Sequence, residues 1–477
     1  MKLPKSGRDA TEILDTLNAL KTKDVDWKGG KCFAYVYDAG PEAMDLLKNS
    51  FNLFMTENGL DPSSFPSCLE LERDVIAAAL DLQEAPETAA GSFTSGGTES
   101  ILLSVKTARD YYRSIRPEIT SPEIILPETA HPAFYKAFKY FDIKPVQTKV
   151  DPTSYEAIPS EIEKAITENT IMIVASAPSY GMGIMDPIPA IAAIAKKHHL
   201  LCHVDSCVGG MYMPFAKKHG YEMYDFNLSV DGVTQLSMDF HKWGYAAKGA
   251  SAILYKDSAL RRHQIFAWSG WMGYTVVNPT VMSTKSGGPV AACWAILNHI
   301  GEEGYMDLVG KTQAASEKIR AAIKDIEGLR LLGNPKGNLF AFTAEDFDIF
   351  ALSEAMKTYG WYIQPQFGFN TVPANIHLSV GASNAPHVDD LIHDLRKCVT
   401  DLRSNGTPPL MNELPAQLLE MFENAGPELF DLLGSTLGTD GSDLPDNMRE
   451  INNLMNLMPS QYRDQLLVEY MNRLYVR

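Results

Sequence analysis

From about residue 91 onward, short unbroken apolar runs alternate with stretches of helical spacing. Residues 123–126, 144–150, 171–175 and 200–205 read as strands, and 95–113, 131–140, 160–166 and 188–198 as helices. The strands are continuously apolar rather than alternating, which predicts a largely parallel sheet covered on both faces, an α/β fold. Ahead of this region, 11–20 has helical spacing (Ile13, Leu14, Leu17, Leu20), Pro41 opens a helix over 41–54, and 70–82 is amphipathic. Beyond it, helices at 287–300, 305–326 and 386–402 enclose strands near Leu329, Leu339 and Ile376. The expected organisation is an N-terminal arm over 1–60, a large domain over 61–301, a smaller α/β domain over 302–403 and a helical extension over 404–477. The extension opens on a Pro-rich linker, 404–409, and has apolar helical segments at 417–422 and 465–474.

Composition narrows the function. The chain has 477 residues, 45% of them hydrophobic, and a net charge of -17. An acidic chain is a poor ligand for nucleic-acid backbones or anionic membranes, so neither is expected as a partner. Residues 410–477 are acidic in their own right, with eleven Asp and Glu against four Lys and Arg. No apolar run approaches the roughly 18 residues of a membrane span, and no signal core opens the chain. The six cysteines are scattered without metal spacing, which suits reduced thiols, a cytoplasmic location and no metal site.

The chemistry gathers at four places. Lys242 lies between apolar runs at 232–238 and 250–255, beside His241. A lysine buried there should have a lowered pKa and serve as a Schiff-base nucleophile toward a carbonyl. Ser95-Gly96-Gly97-Thr98 opens a helix, where free amides and hydroxyls suit a phosphate; an ordinary capped helix start is the plain alternative. Asp205 ends an apolar strand, placed either to hold a ring nitrogen or to cap the next helix. His131 follows another strand and offers a flat ring for stacking. Anion site, ring partner, acid and amine together meet the needs of pyridoxal phosphate.

These segments, with 129–134, 203–210, 239–249 and 293–305, resemble the pyridoxal-phosphate-dependent group II decarboxylase family, and within it the sphingosine-1-phosphate lyase branch. The resemblance implies the fold-type I architecture, a mainly parallel large domain with a smaller C-terminal α/β domain. It implies catalytic roles for Lys242, His131 and Asp205. It places Ser95, Gly96, Gly97, Thr98, Ser237 and His241 around the cofactor, with Gly287 reaching the cofactor phosphate from the partner subunit of a homodimer. Tyr37, Asp61 and Lys248 fall at substrate-handling positions.

Three positions depart from the lyase pattern: Asp61 stands where a histidine is expected, Lys285 where an arginine is expected, and Tyr180 begins an altered Tyr-Gly-Met-Gly segment. An aspartate at 61 repels a substrate phosphate. The implied activity is cleavage of the Cα–Cβ bond of an amino alcohol, phosphorylated or not. Amino-acid decarboxylation on the same cofactor is the alternative, and a catalytically silent scaffold is disfavoured by the joint presence of Lys242, Asp205 and His131.

Overall fold

A computed structural model describes residues 3–407 and 448–475. The expected helical segment at 417–422 and the end of the 404–409 linker lie outside the described residues. Seven strands form the main sheet: β1 (Ala90–Thr94), β2 (Glu123–Pro127), β3 (Lys144–Thr148), β4 (Thr170–Ser176), β5 (Leu201–Ser206), β6 (Gln235–Asp239) and β7 (Ser251–Tyr255). Their order is β1-β7-β6-β5-β4-β2-β3. Strands β2 to β6 pair in parallel, whereas β7 runs antiparallel to both β6 and β1. The reason is the short β6–β7 link: a parallel return needs a crossover of a dozen or more residues, usually a helix. That link carries His241, Lys242 and Lys248.

The apolar strands β2 and β4 are buried along their whole length, as their composition predicts, whereas β3 at the sheet edge is largely exposed and polar. Along β4, Ile173 and Ala175 enter one core with Ile188, Ile191 and Ala195 of helix Ile188–Lys197. Met172 and Val174 enter the opposite core with Leu103, Val105 and Ala108 of helix Gly97–Ile115 and with Phe134 and Phe138.

A helical run, Gly288–Asp325, breaks at Gly301 (φ 59°) and leads into a second sheet. That sheet is β10 (Leu329–Leu331), β11 (Leu339–Ala344), β13 (Asn375–Ser379) and β12 (Gln364–Gln366), antiparallel throughout. Its core includes Phe340, Phe342, Ile376, Leu391 and Leu395, and Phe33 of the N-terminal arm joins it. Between the two sheets in sequence, β8 (Phe266–Trp268) and β9 (Val276–Asn278) form an exposed hairpin. Helix Ala10–Lys21 has no buried residue. At the other end, helices Arg449–Leu457 and Ser460–Leu474 pack against the small domain through Met455, Met458 and Phe367.

Candidate active site

Parallel strands place their C-terminal ends along one edge, and the loops there converge on a cavity of about 450 Å³. Ser95, Gly96, Gly97, Thr98, His131, Tyr180, Asp205, Cys207, Asp239, His241, Lys242 and Lys248 all line it. The main-chain approach at the helix start demands glycine. A Cβ on Gly97 would lie 2.8 Å from Cys207 Sγ and 2.9 Å from Asp239 Oδ2. No side chain caps the first amides of helix Gly97–Ile115, so they and the positive end of the helix dipole are available to an anion.

Lys242 meets Asp239 inside this cavity, with Nζ 2.9 Å from Oδ2. The expectation of a lowered lysine pKa is overturned. Burial alone pushes the amine down, but the adjacent Asp239 carboxylate outweighs it and holds Lys242 above its ordinary value. Asp239 is itself buried; desolvation raises its carboxyl, yet the charges of Lys242 and His241 carry it below the usual range. Its second oxygen, Oδ1, is buried without a hydrogen-bond partner.

Asp205 receives hydrogen bonds at Oδ1 from the Cys207 amide (3.1 Å) and the Ser237 hydroxyl (3.4 Å). Ser237 does not line the cavity. It lies behind Asp205, fully buried and also bonded to His203 Nε2 at 3.2 Å, so its expected place beside a phosphate is corrected to a support of Asp205. Completing this layer, His203 takes Ser104 Oγ at 2.8 Å on its other nitrogen, and burial brings its pKa down to about 4. His131 Nδ1 accepts the Ala133 amide at 3.2 Å, and burial lowers the ring's pKa, leaving a neutral, flat group. His241 donates from Nδ1 to the Ala250 carbonyl at 2.8 Å, which turns Nε2 toward Asp239.

Lys248 is an exposed residue overall, but its ammonium end turns inward. Nζ donates to Tyr35 O (2.7 Å) and His241 O (3.3 Å) and lies 4.9 Å from the centre of the Tyr37 ring. Burial of that end, reinforced by the Lys242 charge, lowers its pKa to about 8. Tyr37 packs on Trp243 at 4.7 Å, and burial raises its phenol.

Asp61 lies outside the cavity, and so does Gly287, whose expected place is in the site of a partner subunit. Asp61 and Gly287 line a neighbouring, larger groove of about 1020 Å³. The Asp61 carboxylate accepts from Ser63 N, Ser63 Oγ and Ser64 Oγ, a local turn that occupies it. Lys285, also in the groove, pairs with Glu72 at 3.2 Å. The residue missed in the sequence is Asp239. Its signal was present: an acidic residue ending an apolar strand, three positions ahead of Lys242.

This cavity combines an anion cradle, a neutral imidazole, a supported carboxylate and an amine. The set fits a phosphorylated aromatic aldehyde, and the uncapped amides at the start of helix Gly97–Ile115 leave donors for its phosphate. Comparisons with known proteins agree. A family model described as the pyridoxal-dependent decarboxylase conserved domain matches residues 2–345, and one described as the C-terminal putative HTH domain of pyridoxal-dependent enzymes matches 410–473. The chain is 37% identical over 405 residues to the sphingosine-1-phosphate lyase of Arabidopsis thaliana, covering 83% of this chain and 73% of that protein. It is 31% identical over 369 residues to a probable L-aspartate decarboxylase of Pyrococcus furiosus, covering 77% and 96%. A solved sphingosine-1-phosphate lyase from Burkholderia pseudomallei superposes with a TM-score of 0.82 at 29% identity, covering 93% of this chain and 98% of that one.

Proposed function

The chain belongs to the pyridoxal-dependent decarboxylase family, and from that premise we propose that it is a pyridoxal-phosphate-dependent lyase that cleaves the Cα–Cβ bond of an amino alcohol. The observation that carries the reading is the meeting of Lys242, Asp205, His131 and the Gly97 cradle in one cavity. Bound pyridoxal phosphate supplies an aldehyde that takes up amines and a pyridinium ring that draws electrons from the neighbouring carbon. Ser95, Gly96, Gly97, Thr98 and His241 would hold its phosphate side, His131 would lie against the ring, and Asp205 would pair with the ring nitrogen. Lys242 is the amine that would hold the aldehyde.

The chain's own groups also supply the proton transfers. Lys248, with a pKa near 8, carries a neutral amine in a useful fraction of molecules at mildly alkaline pH, and it takes the proton from the substrate β-hydroxyl. Lys242 returns a proton to the α-carbon. Tyr37 and Tyr180 close the substrate side and exclude water. Asp61, committed to its own turn, keeps a negative charge at the groove mouth, which favours an unphosphorylated head group over a phosphate. Amino-acid decarboxylation is the second reading, favoured by the likeness to the Pyrococcus furiosus protein over nearly all of its length.

We further propose a homodimer. Phe266, Trp268, Trp271 and Tyr274 on the hairpin and Ile13, Leu14, Leu17 and Leu20 on the first helix are exposed apolar surface, and Gly287 borders the same groove as the hairpin. A reducing, cytoplasmic setting suits the scattered cysteines, and the net charge of -17 gives no footing for nucleic acid.

The test loads purified protein with pyridoxal phosphate and follows visible absorbance, reductive trapping and products. Wild type should trap cofactor on Lys242 and release an aldehyde from an amino alcohol. Lys242→Ala should abolish trapping and lower turnover at least about a thousandfold. Carbon dioxide released from an amino acid, with no aldehyde, establishes the second reading instead. Absorbance and trapping unchanged in Lys242→Ala defeat both.

A further inference from the structure

The acidic C-terminal extension reaches the wall of the cavity through a chain of hydrogen bonds. Helix Arg449–Leu457 is fixed to the small domain by Arg449 Nε on Asp348 Oδ2 at 2.7 Å and by Asn453 Nδ2 on the same oxygen at 3.1 Å. Asp348 is buried and also caps helix Ile349–Lys357. From this docked helix Asn456 Oδ1 accepts the amide of Gly368 at 2.7 Å. Gly368 belongs to the turn between β12 and β13, and that turn projects onto the large domain.

There the turn and its strands hold the loop that follows β4. Gln366 Nε2 donates to Gly181 O at 2.9 Å, and His377 Nδ1 lies 3.2 Å from the same carbonyl. Gln364 Oε1 accepts the Tyr180 hydroxyl at 2.7 Å, and the His377 and Tyr180 rings lie 4.5 Å apart. Asn370 donates to Glu128, three residues ahead of His131. Tyr180 and His131 both line the cavity, with ring centres 6.4 Å apart and edge to face. An element outside the catalytic domains is therefore joined, side chain by backbone, to both aromatic walls of the site.

We propose that Asn456 is a positioning residue, and that docking of the C-terminal helix pair sets the place of Tyr180 and the 179–184 loop and so regulates the site. The proposal rests on reading the cavity as the cofactor site. The physical basis is coupling through elements that share hydrogen bonds, and such coupling acts equally in both directions.

Amide hydrogen exchange on the full chain tests it, with and without pyridoxal phosphate. The Ser179 and Gly183 amides bond within the loop, to Ile184 O and Ser179 O, and report its opening. Asn456→Ala should speed exchange at both by about tenfold, the effect of losing one hydrogen bond. Asn456→Asp, which keeps the acceptor, should leave both near wild type. Gln366→Leu should loosen the far end reciprocally, speeding exchange at the Asn452 and Met458 amides. Faster exchange confined to 366–372 in Asn456→Ala, or an unmoved C-terminal helix in Gln366→Leu, overturns the proposal. Measurement without cofactor separates this outcome from the assignment of the reaction, which trapping and product analysis decide.

Discussion

Two adjoining regions of this molecule are built on opposite terms. The cavity around Lys242 is small and polar, and its charges answer one another within the chain: Lys242 with Asp239, and Asp205 with Ser237 and the Cys207 amide. The groove beside it is more than twice as large and is bordered by Tyr274, Val276 and Val277 of the exposed β8–β9 hairpin. Ser95, Glu99 and Gly249 line both. Cofactor chemistry needs partners held in fixed positions, and the cavity has them. The groove is open and lined in part by apolar side chains, the kind of surface on which the proposed homodimer rests. Of the three departures from the lyase pattern, Asp61 and Lys285 are groove residues and Tyr180 lines the cavity.

The largest expected effect breaks the self-sufficiency of the cavity. Asp239→Asn leaves the Lys242 ammonium without its counter-charge in a nearly dry place. Removing one member of a buried pair costs about 3 kcal/mol, so the melting temperature of the cofactor-free protein should fall by several degrees. The sign with pH follows from the depressed carboxyl. Asp239 titrates below its ordinary 3.8 when folded, so its contribution is complete above that value and fades as pH falls through the folded pKa. Lys242, held above its ordinary 10.5, contributes throughout that range and is lost only at higher pH. Thermal denaturation from pH 7 downward should show an acid limb in wild type that is reduced in Asp239→Asn. Equal limbs in both would mean that the pair does not stabilise the fold.

Lys248 lines the cavity, next to Gly249, which lines both regions, and gives the next effect. Its pKa of about 8 makes it the proton acceptor of the proposed reaction, so turnover should rise through pH 8 as the neutral amine accumulates. Lys248→Arg stays protonated at every accessible pH. It should lose the limb and about a hundredfold in kcat. A variant that changes KM alone, with the limb intact in kcat, assigns Lys248 to substrate binding and removes it from proton transfer.

Much of the cavity was legible because its signals are local. Gly96-Gly97 before a helix, Asp205 at the end of an apolar run and Lys242 between two such runs each announce themselves within a few residues. The fold was legible for the same reason, as unbroken apolar strands separated by helical spacing. What escaped depends on distance in the sequence. The ordinary value for a buried lysine points downward; only the contact with Asp239 reverses it, and contact is a property of the folded loop. Ser237 shares a strand face with Asp239 but lies two residues deeper, covered by its neighbour Asp205, and it bonds His203 and Asp205. The reach of Asn456 to Gly368, and of Gln366 to Gly181, joins segments 88 and 185 residues apart. No periodicity reports such pairs.

The smallest expected effect sharpens the comparison itself, because it asks whether the groove's openness matters to the cavity. Trp268 and Trp271 are 57% and 48% exposed in the single chain, and neighbouring Met272 is 93% exposed. Aromatic residues central to an interface commonly contribute more than 1 kcal/mol each, so Trp271→Ala should weaken self-association by about tenfold. Sedimentation over a range of protein concentrations measures that shift. If a second copy completes the groove with its Gly287 loop, cofactor affinity must fall in step with dimer dissociation, because the phosphate side of the cavity opens toward the groove through Ser95 and Gly249. If the variant dissociates and binds pyridoxal phosphate as tightly as before, the cavity is complete in one chain and the groove serves assembly alone.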